Sequence, residues 1–211
     1  METGKKYKLT DECITIDGRK LYRIEALKDF RWVKKGYKGG FIGSEVNLSQ
    51  YGDCWVWDDA KVWGDARVRG NAKVYDNAAV WGDAKVYGNA AVWGNAEVFG
   101  DAEVCGNARV RGNAAVYGDA RVYGNAKVYG DARVYGNAEV VNNADYIVFK
   151  NWWSSGRYFT WTRSNNMWRV GCFYGTGKEL IEKAYKDSEL SGREYERVVK
   201  YVESILKDSK K

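Results

Sequence analysis

The chain has 211 residues, a hydrophobic fraction of 45% and a charged fraction of 29%, enough apolar material for a packed core. It holds no histidine and no proline, but 24 glycines and 32 aromatic residues (10 Trp, 16 Tyr, 6 Phe). Without histidine, Ser-His-Asp and Cys-His catalysis and His-based zinc sites are excluded. The net charge of +6 is unevenly spread: +4 over residues 1–51, −3 over 52–145 and +5 over 146–211. Such a balance is compatible with an anionic partner and does not require one.

The N-terminal residues are charged throughout and lack the apolar stretch of a signal peptide. No apolar run approaches the length of a membrane span. Cys13, Cys54, Cys105 and Cys172 are far apart and form no CxxC pair, which points to four free thiols in a reducing compartment. The expected location is therefore the cytoplasm, away from membranes.

Residues 1–51 are expected to form a β cap. Residues 7–24 alternate around Asp17-Gly18 and predict a hairpin, with Ile14, Ile16, Leu21, Tyr22 and Ile24 as its apolar positions. Gly36 to Gly43 reads as a glycine-rich basic loop that lacks the ending of a phosphate loop. Ile42 and Leu48 start an imperfect first coil.

Residues 52–145 are dominated by a six-residue repeat. Valine recurs every six residues from Val56 to Val140 and alanine from Ala60 to Ala144, fifteen times each. Residues six apart lie on opposite faces of a helix, so the period belongs to strands. In Ala-x-Val the two small residues share one face, and the following Gly-Asp or Gly-Asn supplies a corner. Reading every eighteenth residue sorts the corners into columns. One is Asn71, Asn89, Asn107, Asn125 and Asn143; another is Asp65, Asp83, Asp101, Asp119 and Asn137. A third is mixed: Asp59, Asn77, Asn95, Asn113 and Asp131. Three hexads per coil and fifteen hexads predict a parallel β-helix of about five three-sided coils.

This repeat resembles the hexapeptide-repeat, left-handed β-helix family, in which an aliphatic residue is followed four positions later by a small one, as Val56 is by Ala60. The flanks YKLTDECITIDGRKLYRIEALKDF, GGFIGSEVNLSQYGDCWVWDDAKV and VGCFYGTGKELIEK resemble proteins of bacteriophages and prophages. Such proteins are often labelled hexapeptide transferases from the repeat alone. Family members commonly trimerise through solenoid faces.

Eleven of the fifteen residues that follow each valine are aromatic. At eighteen-residue spacing they line up in ladders, one of Trp57, Tyr75, Trp93, Arg111 and Tyr129, the other of Trp63, Trp81, Phe99, Tyr117 and Tyr135. Stacking within the wall is one reading. The other is an interface, with Trp57, Trp63, Trp81, Trp93, Phe99, Tyr117 and Tyr135 covered by further copies, a trimer being favoured. The column Asp65, Asp83, Asp101 and Asp119 offers a weaker alternative, a cation relieving stacked carboxylates, against ordinary corner chemistry.

Residues 146–211 are expected to form a small α+β domain. Tyr146–Lys150, Arg157–Arg163 and Trp168–Tyr174 read as three strands. Two helices follow, with capping boxes at Thr176/Glu179 and Ser191/Glu194. Lys150, Arg157, Arg163 and Arg169 interleave with Trp153, Trp161 and Trp168, a pattern able to stack on and neutralise a nucleotide or nucleic acid. The alternative is a core of tryptophans with solvated cations.

The expected function is non-enzymatic binding, without a cofactor, by an oligomeric solenoid of phage or prophage type, including a counter-defence role against a host protein or an anionic ligand. An acyltransferase-like enzyme is the disfavoured alternative, because its usual base is a histidine. A purely structural or virion-associated scaffold is the other.

Overall fold

The computed structural model describes residues 4–208; the first three residues of the N-terminal segment and the last three of the C-terminal one lie outside it. The chain divides into two compact units, residues 1–145 and 146–211.

The first unit opens with a hairpin. Strand β1 (Tyr7–Ile16) pairs antiparallel with β2 (Arg19–Ala26). Asp17 and Gly18 both take positive φ, 48° and 75°, the conformation a two-residue hairpin turn of matching twist requires. β2 then pairs antiparallel with β3 (Lys38–Ile42). Here the expected glycine-rich loop is instead a buried strand. A side chain on Gly39 or Gly40 would meet the Val56 or Ala60 carbonyl at 2.5 and 2.4 Å, so the missing Cβ atoms let this strand close against the first coil.

β3 is also the first rung of a solenoid wall, because Ile42 pairs in parallel with Val62. Leu48 forms the matching bridge to Val68. Fifteen short strands follow, β4 to β18, from Trp55–Val56 to Glu139–Val140. They stack in three parallel sheets, each strand pairing with the one eighteen residues on, as Val62 does with Val80 and Val98 with Val116. The wall that begins with β3 has six rungs. The chain is thus a mainly parallel β-solenoid of about six turns, one more than the repeat count alone suggests. The extra turn comes from residues that pair like the repeat without spelling it.

The alternation explains the core. Every repeat valine from Val56 to Val140 is fully buried, and so is every repeat alanine from Ala60 to Ala138. Ala144, after the last strand, is exposed. The corners stack as well. Asn71 donates to Asn89, Asn89 to Asn107 and Asn107 to Asn125 at 3.0–3.2 Å, each amide serving as donor and acceptor at the rung spacing.

At the start of the coil Lys6 is buried. Its ammonium donates to the carbonyls of Cys54 (2.9 Å) and Gly52 (3.3 Å) and lies 3.3 Å from the Cys54 sulfur. Tyr7 donates to the Leu48 carbonyl at 2.6 Å. Burial pushes the Lys6 ammonium below its ordinary pKa and the Cys54 thiol above its own. All four cysteines are free.

The second unit is a four-stranded antiparallel sheet, β19 (Tyr146–Lys150), β20 (Tyr158–Thr162), β21 (Met167–Val170) and β22 (Phe173–Gly175), followed by α1 (Gly177–Asp187) and α2 (Glu189–Asp208). The expected third strand is a hairpin, broken at Gly171, whose φ is +55°. Thr176 caps α1 with the reciprocal Glu179 bond. The second helix begins earlier than the Ser191 box predicts. Ser188 accepts from the Ser191 N–H at 3.1 Å, so Ser191 lies inside the helix and Ser188 performs the cap. The core comprises Phe159, Trp161, Trp168, Val170, Leu180, Val199 and Val202.

Candidate functional site

Rungs about 4.8 Å apart match the separation at which aromatic rings stack. One ladder is therefore continuous: Trp63–Trp81 at 5.0 Å and 9°, Trp81–Phe99 at 4.4 Å and 3°, Phe99–Tyr117 at 4.7 Å and 11°, and Tyr117–Tyr135 at 4.5 Å and 34°. Its lower end is covered from within the unit. Trp63 is 8% exposed and packs with Leu21 and Phe41, while Ile14 and Ile16 of the hairpin lie against the same cluster. From Trp81 onward the rings are half-buried at the surface.

The second ladder is mixed. Tyr37 meets Trp57 edge-on at 5.3 Å, and Tyr75 stacks on Trp93 at 5.4 Å. Arg111 then places its guanidinium 5.9 Å from the Trp93 ring centre and 5.6 Å from that of Tyr129. The cation bridges two rings where an aromatic residue is missing.

The third wall carries chemistry that a search for aromatic ladders overlooks. In register along it stand Arg67, Lys85 and Glu103, and beside them, at eighteen-residue spacing, Arg69, Tyr87 and Cys105. Glu103 accepts from Lys85 at 2.9 Å and from Tyr87 at 3.2 Å. The Lys85 hydrogen bond, with help from Tyr87, holds the Glu103 carboxyl below the ordinary range. The Tyr87 phenol is pushed up, first by a hydrogen bond with Cys105, then by burial and by Glu103. The signal was present in the sequence as the column Arg, Lys, Glu at positions 67, 85 and 103.

The corner carboxylates Asp65, Asp83, Asp101 and Asp119 are exposed. Among the described residues no group of three or more His, Cys, Asp or Glu converges as a metal site requires. The cation alternative thus lacks its ligand set, because a corner column points its carboxylates outward side by side.

In the second unit the expected stacking platform dissolves. Trp161 and Trp168, 1% and 2% exposed, pair across β20 and β21 and face the core, and Trp153 packs against Phe159 and Tyr195. Strand alternation that buries Trp161 and Trp168 turns Arg169 and Lys150 to the other face, while Arg157 and Arg163 flank the ends of β20. Arg157 and Arg163 are exposed, Lys150 lies 5.8 Å from the Tyr158 ring centre, and Arg169 donates to the Cys172 carbonyl at 3.1 Å. The exposed indole of this region is Trp152, at 80%.

No helix among the described residues is long and apolar enough to cross a membrane. Residues 114–130 match the family described as the YdcK beta solenoid repeat. No curated protein matches the chain. Together with three walls of in-register parallel rungs, the match identifies a β-solenoid repeat protein.

Proposed function

We propose that this chain is a non-catalytic binding scaffold that associates with copies of itself through its aromatic wall, a trimer being the favoured state. The observation that carries this is the ladder Trp63 to Tyr135, continuous over five rungs and half-buried at the surface beyond the hairpin. Rings already ordered by stacking lose little side-chain freedom on docking, which favours association. The unbroken succession of short strands from Trp55 to Val140 supports the non-catalytic reading, as does the absence of histidine from the sequence. The coil is read as left-handed, in keeping with the hexapeptide-repeat resemblance; the strand path in an experimental density map tests it.

The resemblance of the flanks to phage and prophage proteins supports a place in that biology, including counter-defence, with a bacterial cytoplasmic location. The exposed cations Arg157 and Arg163, with Lys150, suit an acidic surface of a host protein. A native mass spectrum of the purified protein tests self-association. A trimer that falls to monomer on replacing Phe99 and Tyr117 with Ser, with the far-ultraviolet circular dichroism unchanged, supports the reading. A monomeric wild type overturns it. Acyl transfer from an acyl-CoA would overturn the non-catalytic assignment.

A further inference from the structure

On the third wall, Arg67 and Arg69 have no charged partner among the described residues. Val68 points inward, so Arg67 and Arg69 on either side of it leave toward solvent, and both are exposed. One rung on, Lys85 stands in register with Arg67. Its charge is already engaged, 2.9 Å from Glu103. The other oxygen of Glu103 holds the Tyr87 hydroxyl at 3.2 Å, which fixes the position of that ring while leaving it 37% exposed. These side chains, with the corner glycines Gly70 and Gly88, line a half-open surface cavity of about 440 Å³. That volume lies in the range of small-molecule sites.

The charges in this cavity are asymmetric. Three cations against one carboxylate leave two positive charges, and Arg67 and Arg69 are the uncommitted ones. Glu103 repels an anion from the far end, so an anionic group is driven to the arginine end and an uncharged ring to the Tyr87 end. Guanidinium forks match phosphate oxygens in paired hydrogen bonds, and a phosphomonoester carries nearly two negative charges at neutral pH. A planar ring finds a stacking or edge partner in Tyr87.

We propose that this cavity binds a phosphomonoester carried on a planar ring, the phosphate held by Arg67 and Arg69 and the ring packed on Tyr87. This deepens the binding reading and rests on it. A monomeric protein that takes up the ligand would retire self-association and keep this site; an oligomer that takes up none would do the reverse.

Isothermal titration calorimetry of the full chain with adenosine monophosphate, phenyl phosphate, inorganic phosphate and adenosine tests it. At least one of the two ring-bearing phosphates is expected to bind roughly tenfold more tightly than inorganic phosphate, and adenosine not to register. Binding of adenosine monophosphate alone assigns the ring to a nucleoside, and binding of phenyl phosphate alone assigns it to an aryl phosphate such as a phosphotyrosine side chain. Arg67→Ala and Arg69→Ala should each weaken binding roughly tenfold or more. Tyr87→Leu should erase the advantage over inorganic phosphate and leave phosphate binding itself intact. Failure of both ring-bearing phosphates to bind overturns the proposal, as does binding no tighter than that of inorganic phosphate. So does unchanged affinity in an Arg67→Ala/Arg69→Ala variant whose circular dichroism matches the wild type.

Discussion

The two units build their cores in opposite ways. The solenoid interior is made almost entirely of alanine and valine, with the same side chain recurring above and below itself, Val80 on Val62 and Val116 on Val98. The second unit has a few large residues, Phe159, Trp161 and Trp168, wedged against Leu180, Val199 and Val202 of two helices. In the first, stability is spread over many equal rungs joined by nearest-neighbour contacts. In the second it is concentrated in side chains for which no neighbour can substitute. The same contrast holds at the surface. The solenoid repeats a chemical group at a fixed interval, which produces ring ladders and asparagine chains, whereas the small unit turns Phe159, Trp161 and Trp168 inward and leaves Arg157 and Arg163 outside.

The most severe test of that contrast is Trp168→Ala. Removing a fully buried indole costs about 3–5 kcal/mol, and the loss should be confined to residues 146–208. Hydrogen exchange would show it: amides of that unit lose protection while the rungs from Val62 to Val134 keep theirs. Loss in both would mean that the two cores melt as one and the contrast is false.

A smaller effect is expected from Val98→Ala, about 2 kcal/mol for two buried methyl groups and the space they leave. The informative result is equality. Val80→Ala and Val116→Ala meet identical rungs above and below and should cost the same within error in chemical denaturation. Val140→Ala, on the last strand of its wall, should cost less. Unequal costs among the three interior sites would show that the rungs are not energetically equivalent.

The smallest effect is at the α1 cap. Thr176→Ala removes a side-chain oxygen that accepts from the Glu179 N–H and should cost about 1 kcal/mol. Its partner adds a pH dependence. Hydrogen bonds from the Thr176 backbone and hydroxyl hold the Glu179 carboxyl below its ordinary range. A carboxyl depressed in the folded state contributes stability above its unfolded pKa and loses it as pH falls through the folded value. The stability difference between wild type and Glu179→Gln should therefore be present at neutral pH and close in acid, below about pH 4. A difference constant across that range would place the carboxylate outside the cap.

Much of the solenoid could be read directly from the residues, because its rule is local. A period of six with Ala-x-Val and a glycine corner assigns each side chain to inside or outside before any contact is known, and the eighteen-residue columns place Trp81 on Trp63 and Asn89 on Asn71. The hairpin at Asp17-Gly18 was legible for the same reason, since two residues of positive φ define the turn by themselves. The additional turn was only half legible: Ile42 and Leu48 marked its apolar positions, but Gly39 and Gly40 read as a loop until the close approach of the next coil gave them a reason to be small. Ser188 displaced Ser191 as a cap because α1 and α2 are joined with a single residue between them. The candidate sites divide in the same way. The aromatic ladders follow from spacing, while the fate of Trp161 and Trp168 depended on which side of the sheet the helices cover, which alternation alone leaves open. The cavity at Arg67, Arg69 and Tyr87 required geometry of another kind: spacing aligns the column, but only side-chain distances show that Glu103 occupies Lys85 and Tyr87 and leaves the two arginines free to meet a ligand. Backbone periodicity is set by neighbours along the chain and a single rung height, whereas burial of a strand face and the pairing of charges are settled by groups far apart in sequence competing for the same space.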